Sequence, residues 1–295
     1  MELSLPIRHL SYSALTCYLR SPYDFWRRYV VYTDDSTYGP AALVGTAFHK
    51  ALECYYSGLS IEQGIEVGLR HISTMEMAVN WGKTGSLEQV IKDFRQTLDH
   101  YFASPDNVVP LHRVMATELD MYGKVEGVGI QLKAVADLVV FDGDVEDPRR
   151  HMDIYDFKKV TSFSKPPVEE IAEGGLAATE DELAFVPPGY WIQAAFNFWT
   201  ASSALRPPRR MVFQETKTSK NRGGSPQVQE VVLNFDDPRV MFKINCVKIL
   251  INKFLAELSL KKDHPIWLPN VTDSMSGEET WKNWVSDIPA PATVS

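Results

Sequence analysis

One segment, residues 151–160, constrains the fold more than any other part of the chain. Its sequence, HMDIYDFKKV, is rich in apolar and β-branched residues between polar, turn-like stretches, which predicts a buried β-strand. Alternate side chains of a strand lie on opposite faces, so Ile154, Asp156 and Lys158 share one face. Burial of a carboxylate and an ammonium group is costly unless each is paired or holds a metal ion. The segment therefore predicts a polar site built into the core of a sheet.

A second carboxylate is expected on the preceding strand. Residues 133–141, KAVADLVVF, predict that strand, and the acidic segment 142–150 predicts a hairpin connection. The hairpin would bring Asp137 beside Asp156, and two carboxylates suit a divalent cation that activates water against a phosphodiester. Lys158 would position or deprotonate that water, whereas Lys159 points to the opposite face. Repulsion between the two carboxylates further predicts that Asp137→Asn stabilises the metal-free protein.

Three further side chains are candidates for the same site. A helix beginning near Thr46 places His49 and Glu53 one turn apart on one face. Such a histidine is often only a partly buried structural residue, but the two later aspartates favour a metal ligand, and an imidazole ligand favours Mn²⁺. Glu118, on an earlier predicted strand, is either another site carboxylate or an exposed strand residue.

Charge limits how the chain could hold nucleic acid. A net charge of −8 argues against binding through bulk positive potential, although a local basic groove is compatible with it. One candidate groove is the loop 217–224, which either grips phosphates or is a solvated hairpin tip. The helix 23–30 mixes aromatic residues with arginines and is read either as a packing helix or as a DNA contact. The candidate basic residues are Lys217, Lys220, Arg222, Arg27 and Arg28.

The rest of the chain predicts a mixed arrangement of helices and strands. Ser11 or Ser13 caps a first helix that ends near residues 21–22, and a long polar connection over 162–187 predicts a flap or a partner surface. The other predicted elements are helices within 59–104, a meander of strands over 115–122, 125–129 and 131–141, an apolar helix over 190–199 that carries Gln193, strands over 209–216 and 228–235, a helix over 240–260, and a tail with Trp267, Trp281 and Trp284 docked on the body.

Cysteine usage and hydropathy predict a cytoplasmic protein. Cys17, Cys54 and Cys246 are far apart and never form a Cys-x-x-Cys pair, which indicates free thiols in a reducing compartment. No apolar run is long enough to cross a membrane, and residues 1–6 lack the features of a signal peptide.

The order of these motifs resembles the PD-(D/E)XK nuclease superfamily, in the RecB-like branch that includes CRISPR-associated and phage recombination exonucleases. The resemblance runs from about Leu10 to Leu258 and rests on five elements in order: Ser11-Tyr12-Ser13 with Ser21-Pro22-x-x-Phe25, Gly45-x-x-x-His49, Asp137, Asp156-x-Lys158, and Gln193. Two features depart from that pattern. Asn197 stands where the branch usually has a tyrosine, and the cysteines that hold an iron-sulfur cluster in many relatives are missing.

The resemblance implies an α/β fold with a central mixed β-sheet flanked by helices and a helical N-terminal lobe. It implies that His49, Asp137, Asp156 and the carbonyl of Phe157 hold Mg²⁺ or Mn²⁺, that Lys158 acts on the water, and that Gln193 orients the site or contacts the nucleic acid. No iron-sulfur cluster is expected. The predicted organisation is a single nuclease domain over 1–295, with a helical lobe (1–112), a catalytic core (113–260) and a C-terminal tail (261–295).

The function predicted on this basis is metal-dependent hydrolysis of DNA, with an exonuclease of recombination, repair or phage DNA processing favoured. The substrate would be linear DNA or single-stranded ends, a recombination protein is a possible partner, and the setting would be the cytoplasm of a bacterial or phage-infected cell. The alternatives are an endonuclease of DNA or RNA and a non-catalytic module that binds nucleic acid or protein. The second requires a broken site, yet Asp137, Asp156 and Lys158 are all present.

Overall fold

The computed structural model describes residues 5–33, 39–82, 85–142, 151–164, 182–220 and 226–261. These residues contain six strands: β1 (His9–Ser11), β2 (Val114–Gly123), β3 (Gln131–Asp142), β4 (His151–Val160), β5 (Arg210–Lys217) and β6 (Val228–Asn234). The helices are α1 (Tyr12–Arg20), α2 (Pro22–Phe25), α3 (Pro40–Tyr56), α4 (Ile61–Met75), α5 (Leu87–Phe102), α6 (Pro188–Ala204) and α7 (Pro238–Lys261). A π-helical turn, Trp26–Val30, continues α2, and short 3-10 turns join several elements.

The strands form one mixed sheet in the order β1-β3-β4-β5-β6, with β2 also paired to β3. Strand β2 runs antiparallel to β3 along one edge from Gly123↔Leu132 to Val114↔Val140. The other edge of β3 is shared by two strands, since β1 pairs in parallel with residues 131–133 and β4 pairs antiparallel with residues 138–142. Strand β5 is parallel to β4, and the connection between them contains α6, as a parallel crossover requires.

Helices cover both faces of the sheet. One core lies between the sheet and α1, α6 and α7, and it includes Leu15, Ile154 and Phe196. The other lies between the sheet and α3, α4 and α5, and it includes Phe48 and Phe157. Because β4 contributes to both cores, apolar residues occupy both of its faces, which is why its sequence lacks a simple apolar-polar alternation.

The predicted fold class is confirmed, because a mixed six-stranded sheet is flanked by helices and preceded by a largely helical region. The sequence missed one strand and wrongly assigned another. Leu10 and Ser11 end a three-residue strand that joins the sheet, which is too short to leave an alternation pattern in the sequence. Residues 125–129 form a turn between β2 and β3 instead of a strand, with Gly127 at a φ of 74° and the amide of Val128 donating to the carbonyl of Val125.

Several predictions fall on residues outside the described ranges. They concern most of the hairpin connection 142–150, most of the polar connection 162–187, Arg222 in the basic loop, and almost the whole tail after Leu260. The division into a helical lobe, a catalytic core and a tail stays a prediction. Among the helices described, none is both long and apolar enough to pass through a lipid bilayer.

Candidate active site

The candidate site lies at a gap along one edge of β3. Residues 134–137 lie between the stretch of β3 that pairs with β1 and the stretch that pairs with β4. A cavity of about 450 Å³ opens there. Among the described residues, it is lined by His9, Ser11, Tyr12, Ser13, His49, Lys133, Ala134, Val135, Asp137, Asp156, Lys158, Gln193 and Asn197. The gap therefore brings the predicted residues from α3, β3, β4 and α6 to one place.

Asp137 connects the helix α3 to the strand β4. Its Oδ2 lies 3.2 Å from Nδ1 of His49 and accepts a hydrogen bond of 2.8 Å from the amide of Phe157. Burial opposes ionisation of Asp137, but the charge and hydrogen bond of His49, with Lys158 and the Phe157 amide, lower its pKa below the ordinary value. Burial also opposes protonation of His49, yet Asp137 outweighs it and raises the pKa of His49 to about 9.

Asp156 is buried and held by two other site residues. Its Oδ1 lies 2.5 Å from Nζ of Lys158, and its Oδ2 accepts a hydrogen bond from the side-chain amide of Gln193. Burial raises the pKa of Asp156 to about 6 although Lys158 opposes the rise. Burial favours a neutral Lys158, but the charge and hydrogen bond of Asp156 raise the pKa of Lys158. The lysine is therefore a cation in the metal-free site.

Glu118, whose role its sequence left open, is an exposed strand residue that lies beside His49 and Asp137. One potential metal-binding atom from each of His49, Glu118 and Asp137 lies within 4.8 Å of the other two. Among the described residues, these three form the one such group of histidine and carboxylate side chains. The backbone of Glu118 is left-handed, with a φ of 45°, and the β2–β3 register passes from Thr117↔Leu138 to Leu119↔Ala136. Such a backbone costs roughly 1–3 kcal/mol for a non-glycine residue, and strain of this kind is concentrated at functional sites.

The pKa of Glu118 reflects its closeness to Asp137 and His49. Burial and the charge of Asp137 raise its pKa to about 7, although His49 partly opposes the rise. Glu53 and Asp156 are not part of the three-residue group in the described chain. Asp156 is instead engaged by Lys158 and Gln193.

A comparison with protein families identifies the superfamily of the chain. The family model of the PD-(D/E)XK nuclease superfamily matches residues 9–184, which is more than half of the chain. The chain belongs to the PD-(D/E)XK nuclease superfamily. The matched residues include His49, Asp137, Asp156 and Lys158 but end before Gln193. A search of curated proteins finds no significant match.

Solved structures give a similar answer for the fold. A protein from Eubacterium rectale that is provisionally named an exonuclease has 12% sequence identity and a TM-score of 0.54, covering 86% of this chain and 82% of its own. The alkaline exonuclease LHK-Exo from Laribacter hongkongensis has 11% identity and a TM-score of 0.31, covering 76% of this chain and 89% of its own. At these identities the first similarity shows a shared fold alone.

PD-(D/E)XK nucleases use divalent metal ions, and the residues at the gap fit one. Magnesium prefers carboxylate oxygens, whereas an imidazole ligand shifts the preference of a site toward manganese. The group of His49, Glu118 and Asp137 offers one imidazole and two carboxylates within a short distance of one another. The donor set is therefore that of a divalent-cation site.

The sequence did not predict that residues near the N-terminus would line the cavity. His9, Tyr12 and Ser13 line it because β1 pairs with β3 and α1 follows at once. Ser11 caps α1 by accepting a hydrogen bond from the amide of Ala14, as its sequence predicted. Burial raises the pKa of Tyr12, with Lys158 and Asp156 acting in opposite directions. The Ser-Tyr-Ser triplet was the only sequence signal for this part of the cavity lining.

Gln193 and Asn197 present hydrogen-bond acceptors at the cavity. Both side chains are buried, and Asn197 donates to the backbone carbonyl of Gln193 over 3.1 Å. Their side-chain carbonyl oxygens, Oε1 and Oδ1, have no hydrogen-bond partner among the described residues. Buried acceptors of this kind normally find a donor, and a bound water or a substrate group would supply one. Asn197 also marks the departure from the tyrosine of the RecB-like pattern.

A buried glutamate on β5 connects segments that carry site residues. Glu215 stands in register with Lys158 across the β4–β5 pairing. Its carboxylate accepts hydrogen bonds from the amide and hydroxyl of Ser164 and from the hydroxyl of Tyr190. Glu215 thereby joins the segment that follows β4 to the first turn of α6, three residues before Gln193. No sequence pattern indicated this contact.

The predicted basic residues that the structure describes are not among the residues that line the cavity. In the segment 23–30, Tyr23 and Phe25 are buried, and the guanidinium of Arg27 lies 5.8 Å from the Tyr23 ring centre. The ring of Phe25 packs against Phe254. The aromatic residues of this segment thus pack inward. Neither Arg28, Lys217 nor Lys220 lines the cavity, and the role of the basic loop stays a prediction.

The pKa of His49 predicts how the stability of the metal-free nuclease depends on pH. Its folded pKa of about 9 exceeds the ordinary 6.5, so the stabilisation is complete below pH 6.5 and is lost as pH rises through 9. We expect the free energy of unfolding in EDTA to fall by roughly 1–3 kcal/mol between pH 6.5 and 9.5. Thermal unfolding over this range measures the effect. His49→Gln is the control and should flatten the curve; an equal slope in that variant would contradict the assignment.

Proposed function

We propose that this protein is a divalent-metal-dependent deoxyribonuclease that degrades DNA from an end. One observation carries the proposal, namely that His49, Asp137 and the pair Asp156 and Lys158 come from three distant parts of the sequence and line one cavity. Degradation from an end is the activity used in recombination, repair and phage DNA processing, and we place the protein in one of these processes.

The site residues have distinct roles in this proposal. His49, Asp137 and Glu118 would hold a divalent cation, with Asp156 and the carbonyl of Phe157 as further ligands. The bound cation would neutralise charge on the phosphoryl oxygens and lower the pKa of a coordinated water. Lys158 would donate to the attacking water or accept its proton, and proximity of the cation would make its ammonium easier to deprotonate. Gln193 would orient Asp156, to which its amide already donates.

The contacts of Asp156 in the metal-free site indicate what would have to change when a cation binds. In the metal-free site its two oxygens are engaged by Lys158 and Gln193. To become a ligand of a cation held beside Asp137, Asp156 would have to give up part of its ion pair with Lys158. The two positive charges would otherwise share the same carboxylate. Lys158, once released from this ion pair, would be free to form a hydrogen bond with the attacking water. The pairing therefore acts as a resting state in which the carboxylate is charge-compensated.

Glu118→Gln tests the part of the ligand set that the sequence left open. We expect the affinity for Mn²⁺ to fall by about 10- to 100-fold, since loss of a supporting ligand commonly has this effect. Titration calorimetry measures it, and the fold is checked by circular dichroism. The matched control is Glu126→Gln, an exposed glutamate in the turn that follows the same strand. Unchanged affinity in Glu118→Gln would remove Glu118 from the site.

Substrate and mode of attack are tested together with three nucleic acids. The substrates are end-labelled linear DNA, covalently closed circular DNA and single-stranded RNA, each with Mg²⁺, Mn²⁺ or EDTA. The proposal expects release of nucleotides from linear DNA in either metal, none from closed circles, and none in EDTA. Cleavage of closed circles would favour the endonuclease, and cleavage of RNA alone would replace the substrate. Absence of both cleavage and Mn²⁺ binding would favour a non-catalytic module.

A further inference from the structure

The long helix α7 has an exposed apolar stripe in addition to its buried face. Its buried residues pack against α6 and the core. On the other face, positions spaced by four and three residues in turn are all exposed: Phe242, Cys246, Ile249, Lys253, Ala256 and Leu260. We call these six residues the α7 stripe. Spacing of this kind places them along one side of a helix.

The exposure of the α7 stripe is unusual for this protein. The side chains of Phe242, Ile249 and Leu260 are 66%, 72% and 77% exposed. Of the large apolar residues that the structure describes, only Tyr32 is exposed to a similar degree, and it is isolated from the stripe in the sequence. Single exposed apolar residues need no explanation, but three large ones on one side of a single helix make that side a candidate contact surface.

A cavity lies at the N-terminal end of the α7 stripe. It has a volume of about 540 Å³ and is lined by Leu183, Ala184, Pro238, Arg239, Phe242 and Lys243. The space is ample for an aromatic side chain, and the lining combines the apolar side chain of Phe242 with the cationic side chain of Lys243. Aromatic rings gain both from apolar contact and from a neighbouring cation.

The charges on this side of α7 select the chemistry of an occupant. Lys243 and Lys253 are exposed along the stripe. Between residues 240 and 260 the structure describes one acidic residue, Glu257, and it accepts a hydrogen bond from the hydroxyl of Tyr18. A second copy of α7 would bring its own lysines to the same surface, which like-charge repulsion disfavours. An occupant that combines acidic and aromatic residues fits better.

We propose that the α7 stripe is the docking surface of the chain's own C-terminal segment, residues 262–295. This segment follows α7 directly and contains five acidic residues, two lysines and three tryptophans. Its acidic residues, Asp263, Asp273, Glu278, Glu279 and Asp287, complement the lysines of α7. Trp267, Trp281 and Trp284 supply aromatic side chains for the stripe and its cavity.

The length of the segment is sufficient for this contact. A helix of 24 residues is about 36 Å long at 1.5 Å per residue. Trp281 lies 20 residues beyond Lys261, and an extended chain of that length spans roughly 65 Å. The chain is therefore long enough for Trp281 and Trp284 to span the distance to the cavity beside Phe242, and for Trp267 to span the distance to the Leu260 end. Because the segment is tethered, its effective concentration at the stripe is on the order of millimolar, so weak contacts suffice.

Cys246 is a reporter for the proposal because it lies on the α7 stripe between Phe242 and Ile249. The full chain is treated with N-ethylmaleimide, and mass spectrometry measures how fast the Cys246 peptide is modified. We expect the rate to rise by about fivefold or more in Trp281→Ala/Trp284→Ala, since a covered thiol reacts only when its cover opens. Thr293→Ala is the matched control in the same segment. The buried Cys17 should react slowly in every variant, which verifies that the core is intact.

A second variant separates loss of docking from loss of folding. Glu278→Lys/Glu279→Lys keeps the tryptophans, and we expect it also to accelerate modification of Cys246. Rapid modification of Cys246 that is equal in the parent chain and in both tail variants would overturn the proposal. Slow modification that is not accelerated in the tail variants would also overturn the proposal. If that slow modification speeds up on dilution, a second copy of the chain covers the stripe.

Discussion

Lys158→Ala is expected to lower the rate of DNA cleavage by roughly 10²- to 10⁴-fold, the usual contribution of a positioned proton-transfer group. The side chain lies in the cavity with its amine 2.5 Å from Asp156, where it can reach a water bound beside the carboxylates. Its removal also frees Asp156 from its ion pair, so binding of Mn²⁺ should be retained. Initial rates on end-labelled linear DNA in Mg²⁺ measure the first effect, and calorimetry measures the second.

Lys159→Ala is the matched control for that experiment. It is the next residue along β4 and points to the opposite face of the strand, away from the cavity lining. We expect its cleavage rate to stay within about twofold of the parent protein, as is usual for a residue without contact to the reacting groups. Cleavage by Lys158→Ala at the parent rate would remove the lysine from the mechanism. Loss of Mn²⁺ binding in that variant would show that the site itself had collapsed.

Asp137→Asn is expected to abolish cleavage and to weaken Mn²⁺ binding by at least about 100-fold, because it removes the charge of the carboxylate that contacts both His49 and the amide of Phe157. The amide oxygen of asparagine can still accept the hydrogen bond of Phe157, so the strands should stay in register. The pKa of His49 should fall from about 9 toward its ordinary value once the neighbouring charge is lost. Calorimetry and an NMR titration of His49 measure the two effects.

The structure reverses one expectation for the same variant. The sequence predicted that Asp137→Asn would stabilise the metal-free protein by relieving repulsion from Asp156. In the structure the pKa of Asp137 is lowered, because His49, Lys158 and the Phe157 amide favour its charged form over the opposing effect of burial. We now expect the variant to be less stable than the parent in EDTA at neutral pH. Asp106→Asn, which changes an exposed aspartate outside the sheet, is the control.

The strand β4 was predictable because its constraints are local. Residues 151–160 form β4 with the predicted bounds, and Asp156 and Lys158 face one side as strand geometry requires. Helix α1 likewise starts and stops where Ser11 and Ser21 indicated. Helix α3 was predicted to begin near Thr46 but begins at Pro40, since proline at the first helical position extended it by one and a half turns.

The parts of the site that were not predictable depend on long-range pairing. The strand β1 is only three residues long, and its place beside β3 is what makes His9 and Tyr12 neighbours of Lys158. The left-handed backbone of Glu118 has no signature in the sequence, so its two interpretations could not be separated. Glu215 is buried by contacts with Ser164 and Tyr190, which are 51 and 25 residues away along the chain.

Anomalous X-ray diffraction from crystals grown with Mn²⁺ tests the central claim most directly, because it locates the ion without reference to activity. We predict a peak roughly 2.1 Å from a carboxylate oxygen of Asp137, the distance typical of small divalent cations. A ring nitrogen of His49 should lie at a similar distance, with Glu118 or Asp156 completing the contacts. A manganese peak elsewhere on the protein, or none in this cavity at millimolar Mn²⁺, would contradict the account.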